Sequence, residues 1–191
     1  MRNYTLEELK LAYDMNPYMG KDHFIYFWHP DEKGPDVTKA CLCQWYPSKF
    51  SVDGQTYNCA EQFMMAEKAR IFGDKEMREK ILNSDDPSQI KKYGKQVKGF
   101  VDAVWEELSY DIVVRGNVAK FTQNTKLLCF LLMTENKVLV EASPYDKIWG
   151  IGMNEDTAKP LYPHVWKGQN KLGFALMEAR DIIHRRLRAD Y

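Results

Sequence analysis

Apolar residues recur along most of the chain at spacings of three and four positions, which is the pattern of amphipathic α-helices. This pattern predicts helices over residues 5–15, 58–70, 75–83, 87–93, 100–115, 117–122, 125–133 and 172–187. The helix over residues 125–133 is apolar on almost every face, so we expect it at the centre of the fold. Residues 58–70 form a second mostly apolar helix, but charged side chains interrupt it.

Strands are predicted at only a few places. Dense runs of aromatic and β-branched residues indicate short strands over residues 23–28, 40–45 and 138–142. The dipeptide Asp53-Gly54 indicates a hairpin turn within residues 51–57. These strands are too few for a doubly wound sheet, so the expected fold class is α+β: a predominantly α-helical, single compact domain with a few short strands.

The length of 191 residues is that of one ordinary domain with room for a terminal extension. Residues 1–22 are predicted to form an N-terminal helical extension, and residues 23–191 the main domain. Thr5 and Glu8 stand at the spacing of a capping box, which predicts the start of the first helix.

Composition and charge argue against several classes of protein. Apolar residues make up 45% of the chain and aromatic residues 13%, which is enough for a sizeable core and argues against disorder. The 27 basic residues equal the 27 acidic ones, and this balance counts against tight, nonspecific binding to nucleic acid or to an acidic membrane. No apolar run approaches the ~20 residues of a membrane span, and no segment resembles a signal peptide.

The cysteines and histidines do not have the spacing of metal ligands. Cys41 and Cys43 are the only close pair of cysteines, and a C-x-C pair alone does not make a zinc site. His29 and His164 are isolated in the sequence. We therefore expect no metal, reduced thiols and a cytoplasmic location.

Glu61 and Lys68 interrupt the apolar helix over residues 58–70. Because they lie seven positions apart, with Met65 between them, both fall on one stripe of the helix. The spacing Asn58-x-x-Glu61 also matches a capping box, with asparagine in place of serine or threonine. From spacing alone a capping role is favoured for Glu61, and a catalytic or ligand-binding role is the alternative. Lys68 is a surface residue, an ion-pair partner, or a group that reaches the same cleft as Glu61.

Asp146 follows a predicted strand and lies in an aromatic, glycine-rich loop. Aspartate is common in turns, but loops of this kind often carry binding residues. Trp149 could stack on a ring of a ligand, and the adjacent Gly150 would let the backbone approach closely.

Trp105 and Asn170 are also candidate site residues, and each could instead have a purely structural role. Trp105 lies on the apolar stripe of its helix, where core packing is favoured over a role as a stacking platform. Asn170 precedes the last helix, either as its N-cap or as part of a phosphate site formed by backbone N–H groups.

Taken in order, these motifs resemble the YbiA-like family, also called NADAR. The segments that carry the resemblance are Gln44-Trp45-Tyr46-Pro47-Ser48-Lys49-Phe50, Tyr57-x-x-x-Glu61-Gln62-Phe63-Met64-Met65-Ala66-x-Lys68, Trp105, Lys120-Phe121-x-Gln123-Asn124, Leu139-Val140-Glu141-x-Ser143-x-x-Asp146-x-x-Trp149-Gly150-x-Gly152 and Gly168-x-Asn170-x-Leu172-Gly173-x-x-Leu176-Met177-x-x-Arg180. Two runs depart from the usual pattern: Glu61-Gln62-Phe63-Met64-Met65 replaces Glu-His-Tyr-Phe-Gln, and Cys43-Gln44-Trp45 replaces Ser-Asn-Phe. Such changes could alter substrate choice without removing the shared acids.

The resemblance implies an N-glycosidase that cleaves the C–N bond between ribose and a base-like group. The implied substrates are a phosphorylated ribosylamino-pyrimidine from the early riboflavin pathway, or guanine that carries ADP-ribose. The resemblance assigns the active residues to Glu61, Trp105 and Asp146, with Lys68 nearby. It implies no metal and no organic cofactor.

These residue types suit that chemistry. Breaking a ribosyl C–N bond builds positive charge on the sugar, which Glu61 or Asp146 would stabilise while the other activates water or acts as nucleophile. Trp105 would stack on the base or help to close the site. Substrate-binding groups are expected at Lys68, Lys95, Trp149, Gly150 and Asn170, with the lysines neutralising a phosphate.

The expected partner is therefore a small, nucleotide-like molecule, with nucleic acid involved only if it carries a modified guanine. A non-catalytic sensor that binds NAD or ADP-ribose in the same pocket is the alternative. The presence of both Glu61 and Asp146 counts against a pure sensor. A nucleic-acid-associated protein that acts on modified guanine is a third hypothesis.

Overall fold

The computed structural model describes residues 4–16, 19–31, 36–158 and 162–189. The helices are α1 Leu6–Met15, α2 Ala60–Ile71, α3 Lys75–Leu82, α4 Pro87–Lys95, α5 Asp102–Thr122, α6 Thr125–Met133, α7 Glu155–Ala158 and α8 Lys171–Ala189. The strands are β1 Phe24–Phe27, β2 Phe50–Val52, β3 Gln55–Tyr57 and β4 Val138–Glu141, and short 3-10 helices span Lys21–His23, Lys39–Leu42 and Pro163–Val165. The predicted fold class, a helix-rich α+β domain with a few short strands, is confirmed.

Helix α2 lies at the centre of the helical part of the fold. It contacts α3, α4 and α5, and nine of its twelve residues are buried. Glycines in two neighbouring helices permit this close packing. A Cβ atom on Gly116 of α5 would lie 2.5 Å from the ring of Phe63, and a Cβ on Gly94 of α4 would collide with the sulfur of Met65.

These two glycines lie inside helices, although the sequence pattern predicts interruptions near both. Helix α4 continues past Gly94 to Lys95. Helix α5 continues through Gly116 to Thr122, so the prediction of a separate helix over residues 117–122 was wrong. Packing against α2 outweighs the intrinsic helix-weakening effect of glycine at these positions.

The strands form two small pairs. Strand β1 pairs with β4 in parallel, with Phe24 opposite Val138, and α8 packs against β4. Strands β2 and β3 form the predicted hairpin, in which Asp53 and Gly54 have φ angles of 49° and 80°. Positive φ at both turn residues matches the twist of a two-residue hairpin.

The strand predicted over residues 40–45 was wrong, because this segment starts with the 3-10 helix Lys39–Leu42. The fully buried ammonium group of Lys120 donates hydrogen bonds to the carbonyl oxygens of Cys41 at 2.7 Å and of Cys43 at 2.9 Å. One lysine thus binds carbonyl groups that a strand would direct toward a neighbouring strand.

Helix α6 lies at the periphery, contrary to the expectation of a central position. Only Leu127 and Leu131 are buried along its length, and Met133 is 77% exposed. The helix packs against α5, α8 and the 3-10 helix Lys39–Leu42. An apolar circumference therefore does not by itself locate a short helix in the core.

The N-terminal helix α1 packs against the rest of the fold. Its start is the predicted one, because Thr5 Oγ1 accepts the backbone N–H of Glu8 at 3.2 Å. Leu9 is buried, and the hydroxyl group of Tyr4 donates to Asp181 of α8 at 2.6 Å.

The division into an extension over residues 1–22 and a domain over residues 23–191 stays a prediction. Residues 1–3, 17–18 and 190–191 lie outside the described part of the chain. None of the helices within the described ranges has the length and apolarity needed to cross a membrane.

Candidate active site

A cavity of about 550 Å³ opens between α2, α4, the start of α5 and the loop after β4. Most of the predicted site residues line it, namely Glu61, Lys68, Lys95, Trp105, Asp146 and Trp149. The other lining residues are Trp28, His29, Pro30, Cys43, Gln44, Trp45, Met64, Met65, Lys91, Glu141, Ser143, Tyr145, Ile148 and Leu172. Depressions of about 610 and 780 Å³ flank α3, but they contain none of the predicted residues.

Glu61 is the second residue of α2, and the capping role favoured by its spacing was wrong. The N-cap residue is Cys59, which makes no side-chain cap hydrogen bond. The side-chain oxygen of Gln62 accepts the N–H of Asn58 at 2.7 Å in place of Glu61. The Glu61 side chain lines the cavity, where Trp45 hydrogen-bonds to it.

The environment of Glu61 moves the pKa of its carboxyl group toward neutrality. Burial raises the pKa of Glu61 to about 7, and the Asp146 carboxylate adds to this rise. Lys91, the Trp45 hydrogen bond and Lys68 act in the opposite direction. A carboxyl group with a pKa near neutrality can both give and take a proton under physiological conditions.

Glu141, the last residue of β4, places another acid at this cavity. Burial, with smaller contributions from Asp146 and Glu61, raises the pKa of Glu141 to about 8, and Lys91 opposes this rise. Its Oε2 atom is buried, and no hydrogen-bond partner for this atom exists among the described residues. The side chain of Asn170 fixes the backbone here, because its Oδ1 accepts the Glu141 N–H at 2.9 Å.

Asp146 combines the two roles considered from the sequence. Its Oδ1 atom accepts the backbone N–H groups of Ile148 at 2.9 Å and of Trp149 at 2.7 Å. This is the turn geometry typical of aspartate. The same side chain lines the cavity, so the carboxyl group orders the loop and is also placed at the cavity wall.

Three lysines bring positive charge to the cavity: Lys68, Lys91 and Lys95. Burial lowers the pKa of Lys68, and Asp102 and Glu61 partly counteract this effect. Helical spacing places Lys91 and Lys95 one turn apart on α4. The cavity therefore places cations near acids, a combination that can bind an anionic group beside groups capable of acid–base chemistry.

Tryptophan side chains form much of the wall. Trp105 is half-buried, packs against the core and lines the cavity, and the Lys68 ammonium lies 5.5 Å from the centre of its ring. Trp149 is half-buried as well and lines the cavity beside Asp146. Such rings are suited to stacking on a base.

Gly150 and Asn170 do not line the cavity, contrary to the expectation that they bind substrate. A Cβ atom on Gly150 would lie 2.9 Å from the carbonyl oxygen of Glu141, so glycine is required for the loop to pack against β4. Asn170 is fully buried, and its Nδ2 donates to the carbonyl oxygen of Leu139 at 2.9 Å. Both residues therefore hold the backbone of β4 and its following loop in place without lining the cavity.

Glu141, Lys91 and Trp45 were not predicted as site residues. The sequence carried a signal for each of them. Lys91 lies one helical turn from Lys95, and Glu141 lies at the carboxyl end of a buried strand, where binding groups are often found. The sequence signal for Trp45 was its place in the run Cys43-Gln44-Trp45, which departs from the family pattern, but only the tertiary structure brings its side chain to Glu61. Within the described ranges, no group of three or more His, Cys, Asp or Glu side chains could hold a metal ion.

A cavity that combines buried carboxyl groups, lysines and tryptophan walls is typical of an enzyme that uses acid–base chemistry on a charged, ring-containing substrate. Residues 26–184 match the family model for the NADAR domain. The chain therefore belongs to the NADAR family, and the resemblance seen in the sequence is confirmed.

Similar proteins agree with this membership. The N-glycosidase R617 of Acanthamoeba polyphaga mimivirus is 39% identical over 168 residues, which cover 85% of this chain and 98% of R617. The Riboflavin biosynthesis protein VVA0006 of Vibrio vulnificus (strain YJ016) is 28% identical over 173 residues, which cover 91% of this chain and 42% of VVA0006.

The N-glycosidase YbiA of Escherichia coli (strain K12) is 31% identical over 132 residues, which cover 69% of this chain and 74% of YbiA. The NMR structure of E. coli YbiA matches this fold with a TM-score of 0.69 at 25% identity, covering 86% of this chain and 87% of that one. Family membership and these names confirm the predicted enzyme class, an N-glycosyl hydrolase.

Proposed function

We propose that the substrate of this protein is a phosphorylated ribosylamino-pyrimidine. The protein hydrolyses the C–N bond that joins the ribose of this molecule to the amino nitrogen on its pyrimidine ring. The observation that carries the proposal is the meeting of Glu61, Glu141 and Asp146 at one cavity that also contains lysines and tryptophans. The name of the relative VVA0006, a riboflavin biosynthesis protein, supports a substrate of the riboflavin pathway.

Glu61 and Asp146 carry out the two halves of the proposed reaction. Protonated Glu61 donates its proton to the departing nitrogen, and the C1′–N bond breaks as positive charge grows on ribose. The Asp146 carboxylate stabilises this charge and accepts a proton from the water that adds to C1′. The products are the free aminopyrimidine and ribose phosphate, and transfer of the proton from Asp146 back to Glu61 restores the enzyme.

The remaining groups hold the substrate. Trp105 and Trp149 stack on the pyrimidine ring. Lys68, Lys91 and Lys95 attract the phosphate group, which anchors the sugar at a distance from the reacting carbon. Binding of this remote group contributes to catalysis by fixing the C1′ atom beside the acids.

A second candidate substrate, guanine carrying ADP-ribose, is supported by aromatic side chains at the rim of the cavity. The rings of Trp28 and Tyr145 lie 5.9 Å apart, and Tyr145 is 86% exposed. An aromatic pair with one exposed ring suits stacking on a second base, which ADP-ribose has and a ribosylamino-pyrimidine lacks.

The test is to incubate the purified protein with a ribosylamino-pyrimidine phosphate, ADP-ribosylated guanosine, NAD and ADP-ribose, and to follow free base and ribose phosphate by mass spectrometry. We expect the fastest turnover with the ribosylamino-pyrimidine phosphate. Loss of turnover in Asp146→Asn, but not in Glu107→Gln, which removes an exposed acid outside the cavity, would support the assigned roles. Binding without turnover of any compound would overturn the proposed hydrolysis and favour the alternative, a non-catalytic sensor of NAD or ADP-ribose.

A further inference from the structure

The three carboxyl groups of the cavity differ in how their oxygen atoms are held. Glu61 has a hydrogen bond with Trp45. Asp146 uses Oδ1 to accept two backbone N–H groups of its own loop. Glu141 Oε2, by contrast, is buried without a partner among the residues that the structure describes. A buried polar atom without a partner costs about 1–3 kcal/mol, so its retention calls for a functional explanation.

The backbone of Glu141 is nonetheless held firmly. Its N–H is donated to Asn170 Oδ1 at 2.9 Å, and its carbonyl oxygen accepts the N–H of Ile151 at 2.9 Å. Gly150 packs against the same carbonyl oxygen at a distance that a larger residue would not permit. A fixed main chain that carries an unsatisfied side chain into a cavity is the arrangement of a preorganised ligand-binding group.

We propose that Glu141 binds the ribose of the substrate, by exchanging hydrogen bonds between its carboxyl group and the 2′-hydroxyl group. The inference rests on the proposed N-glycosidase function and names the sugar contact of that site. The 2′-hydroxyl is next to C1′, the carbon at which Glu61 and Asp146 act, and hydrogen bonds to it strengthen in the transition state of glycoside hydrolysis.

The protonation state of Glu141 fits this ligand. The charged and titratable groups that act on it are Asp146 and Glu61, which favour the protonated form, and Lys91, which opposes it. With a pKa of about 8, Glu141 carries a proton at neutral pH and presents one O–H donor and one carbonyl acceptor. A hydroxyl group also donates one hydrogen bond and accepts others, so the 2′-hydroxyl and the protonated carboxyl group are complementary. A phosphate group at the same place would lie beside three acids, which disfavours its negative charge.

The test compares a ribosylamino-pyrimidine phosphate with its 2′-deoxyribosyl counterpart. We expect Glu141→Ala to lower kcat/KM about 10²-fold on the ribosyl compound and less than about threefold on the deoxyribosyl compound. Glu141→Gln keeps one donor and one acceptor, so its kcat/KM on the ribosyl compound should stay within about tenfold of the original protein. Glu107→Gln is the matched control and should change neither substrate.

Equal losses on both substrates in Glu141→Ala would overturn the assignment, because a purely structural role does not depend on the 2′-hydroxyl. Thermal unfolding of each variant shows whether it is folded, and Glu141→Gln provides a second folded variant if the alanine change is disruptive.

Calorimetric binding of the same two compounds separates this inference from the proposed reaction. If the protein binds the ribosyl compound more tightly without hydrolysing it, and Glu141→Ala abolishes the difference, Glu141 binds ribose and the hydrolase proposal fails. If the protein hydrolyses the ribosyl compound, and Glu141→Ala has the same effect on the ribosyl and deoxyribosyl compounds, the hydrolase proposal stands and the ribose contact of Glu141 is rejected. If neither compound binds or reacts, both proposals are rejected.

Discussion

Glu61 and Gln62 are consecutive residues in the first turn of α2, yet their side chains make different contacts. The Gln62 amide group donates to the carbonyl oxygens of Ile81, Leu82 and Ser84 and is almost fully buried. It therefore joins the start of α2 to the end of α3. Glu61 turns to the cavity instead. Of two neighbours of similar size, Gln62 thus links two helices and Glu61 faces the cavity.

We therefore expect opposite results from two substitutions at this turn. Glu61→Gln should lower kcat by about 10²–10³ and leave the melting temperature unchanged or higher, since it replaces a buried ionisable group with a neutral one of equal shape. Gln62→Leu should lower the free energy of unfolding by roughly 1–3 kcal/mol, because it leaves buried carbonyl groups without donors. Turnover and chemical denaturation measure the two effects. A stable, fully active Glu61→Gln protein would show that Glu61 is not catalytic.

Lys91 provides a second test at the scale of one residue. We expect Lys91→Met to raise KM about tenfold for the phosphorylated substrate and to leave KM for the dephosphorylated compound nearly unchanged, because the lost contact is with phosphate. Lys92→Met is the matched control, since Lys92 is the next residue of α4, is exposed and does not line the cavity. An equal effect on both compounds would contradict the phosphate contact.

At the scale of elements, the fit of α5 against α2 depends on the absence of a side chain. Gly116 lies in the interior of α5 and contacts the ring of Phe63, which is 1% exposed. A rigid, enclosed ring has little room to move, so the contact fixes how closely the two helices approach. The position of Glu61 follows from this approach, because Glu61 and Phe63 share one turn of α2.

Gly116→Ala should therefore destabilise the protein, although alanine is the better helix former. Overpacking typically costs 1–3 kcal/mol and helix propensity returns about 1 kcal/mol, so we expect a small net loss of stability in denaturant titrations. Adding Phe63→Leu should recover part of that loss in a double-mutant cycle. Gly94→Ala should cost less, because the flexible end of Met65 can move aside. A Gly116→Ala protein that is more stable than the original would refute this account.

At the scale of the whole molecule, buried charge links stability to pH. Unfolded glutamate has a pKa of about 4.3, whereas the folded values are about 7 for Glu61 and about 8 for Glu141. Between these limits the folded chain holds more protons than the unfolded chain. The stabilising contribution is therefore complete below pH ~4.5 and is lost as pH rises through 7 to 8. Lys120, whose pKa burial lowers to about 8, acts oppositely only at higher pH.

We expect the free energy of unfolding to fall by a few kcal/mol between pH 5 and pH 8. Replacing both Glu61 and Glu141 by glutamine should flatten this dependence, because glutamine does not titrate. Urea denaturation at a series of pH values measures the slope. Glu107→Gln, which removes an exposed acid, should retain the original slope. An unchanged slope in the double variant would show that these acids are not the buried titrating groups.

Several features followed from local sequence alone. The cap at Thr5, the Asp53-Gly54 turn and most helices appear where the pattern predicts them, because these features depend on neighbouring residues. Predictions failed at Gly94, at Gly116 and along residues 40–45. At each of these places a distant partner decides the conformation: Met65, Phe63 and Lys120, respectively.

The candidate site shows the same division. By itself, the sequence determined the helix-rich α+β class, the common stripe of Glu61 and Lys68 on α2, and the family to which the chain belongs, because spacing and motif order are local or linear properties. The family resemblance already favoured an active-site role for Glu61 over a cap. Only the tertiary structure decided that the Glu61 side chain lines the cavity, that Glu141 and Lys91 join it there, and that Gly150 and Asn170 lie outside the cavity and hold the adjoining loop and strand in place. Burial and proximity between distant segments control these features, and neither can be read from spacing along the chain.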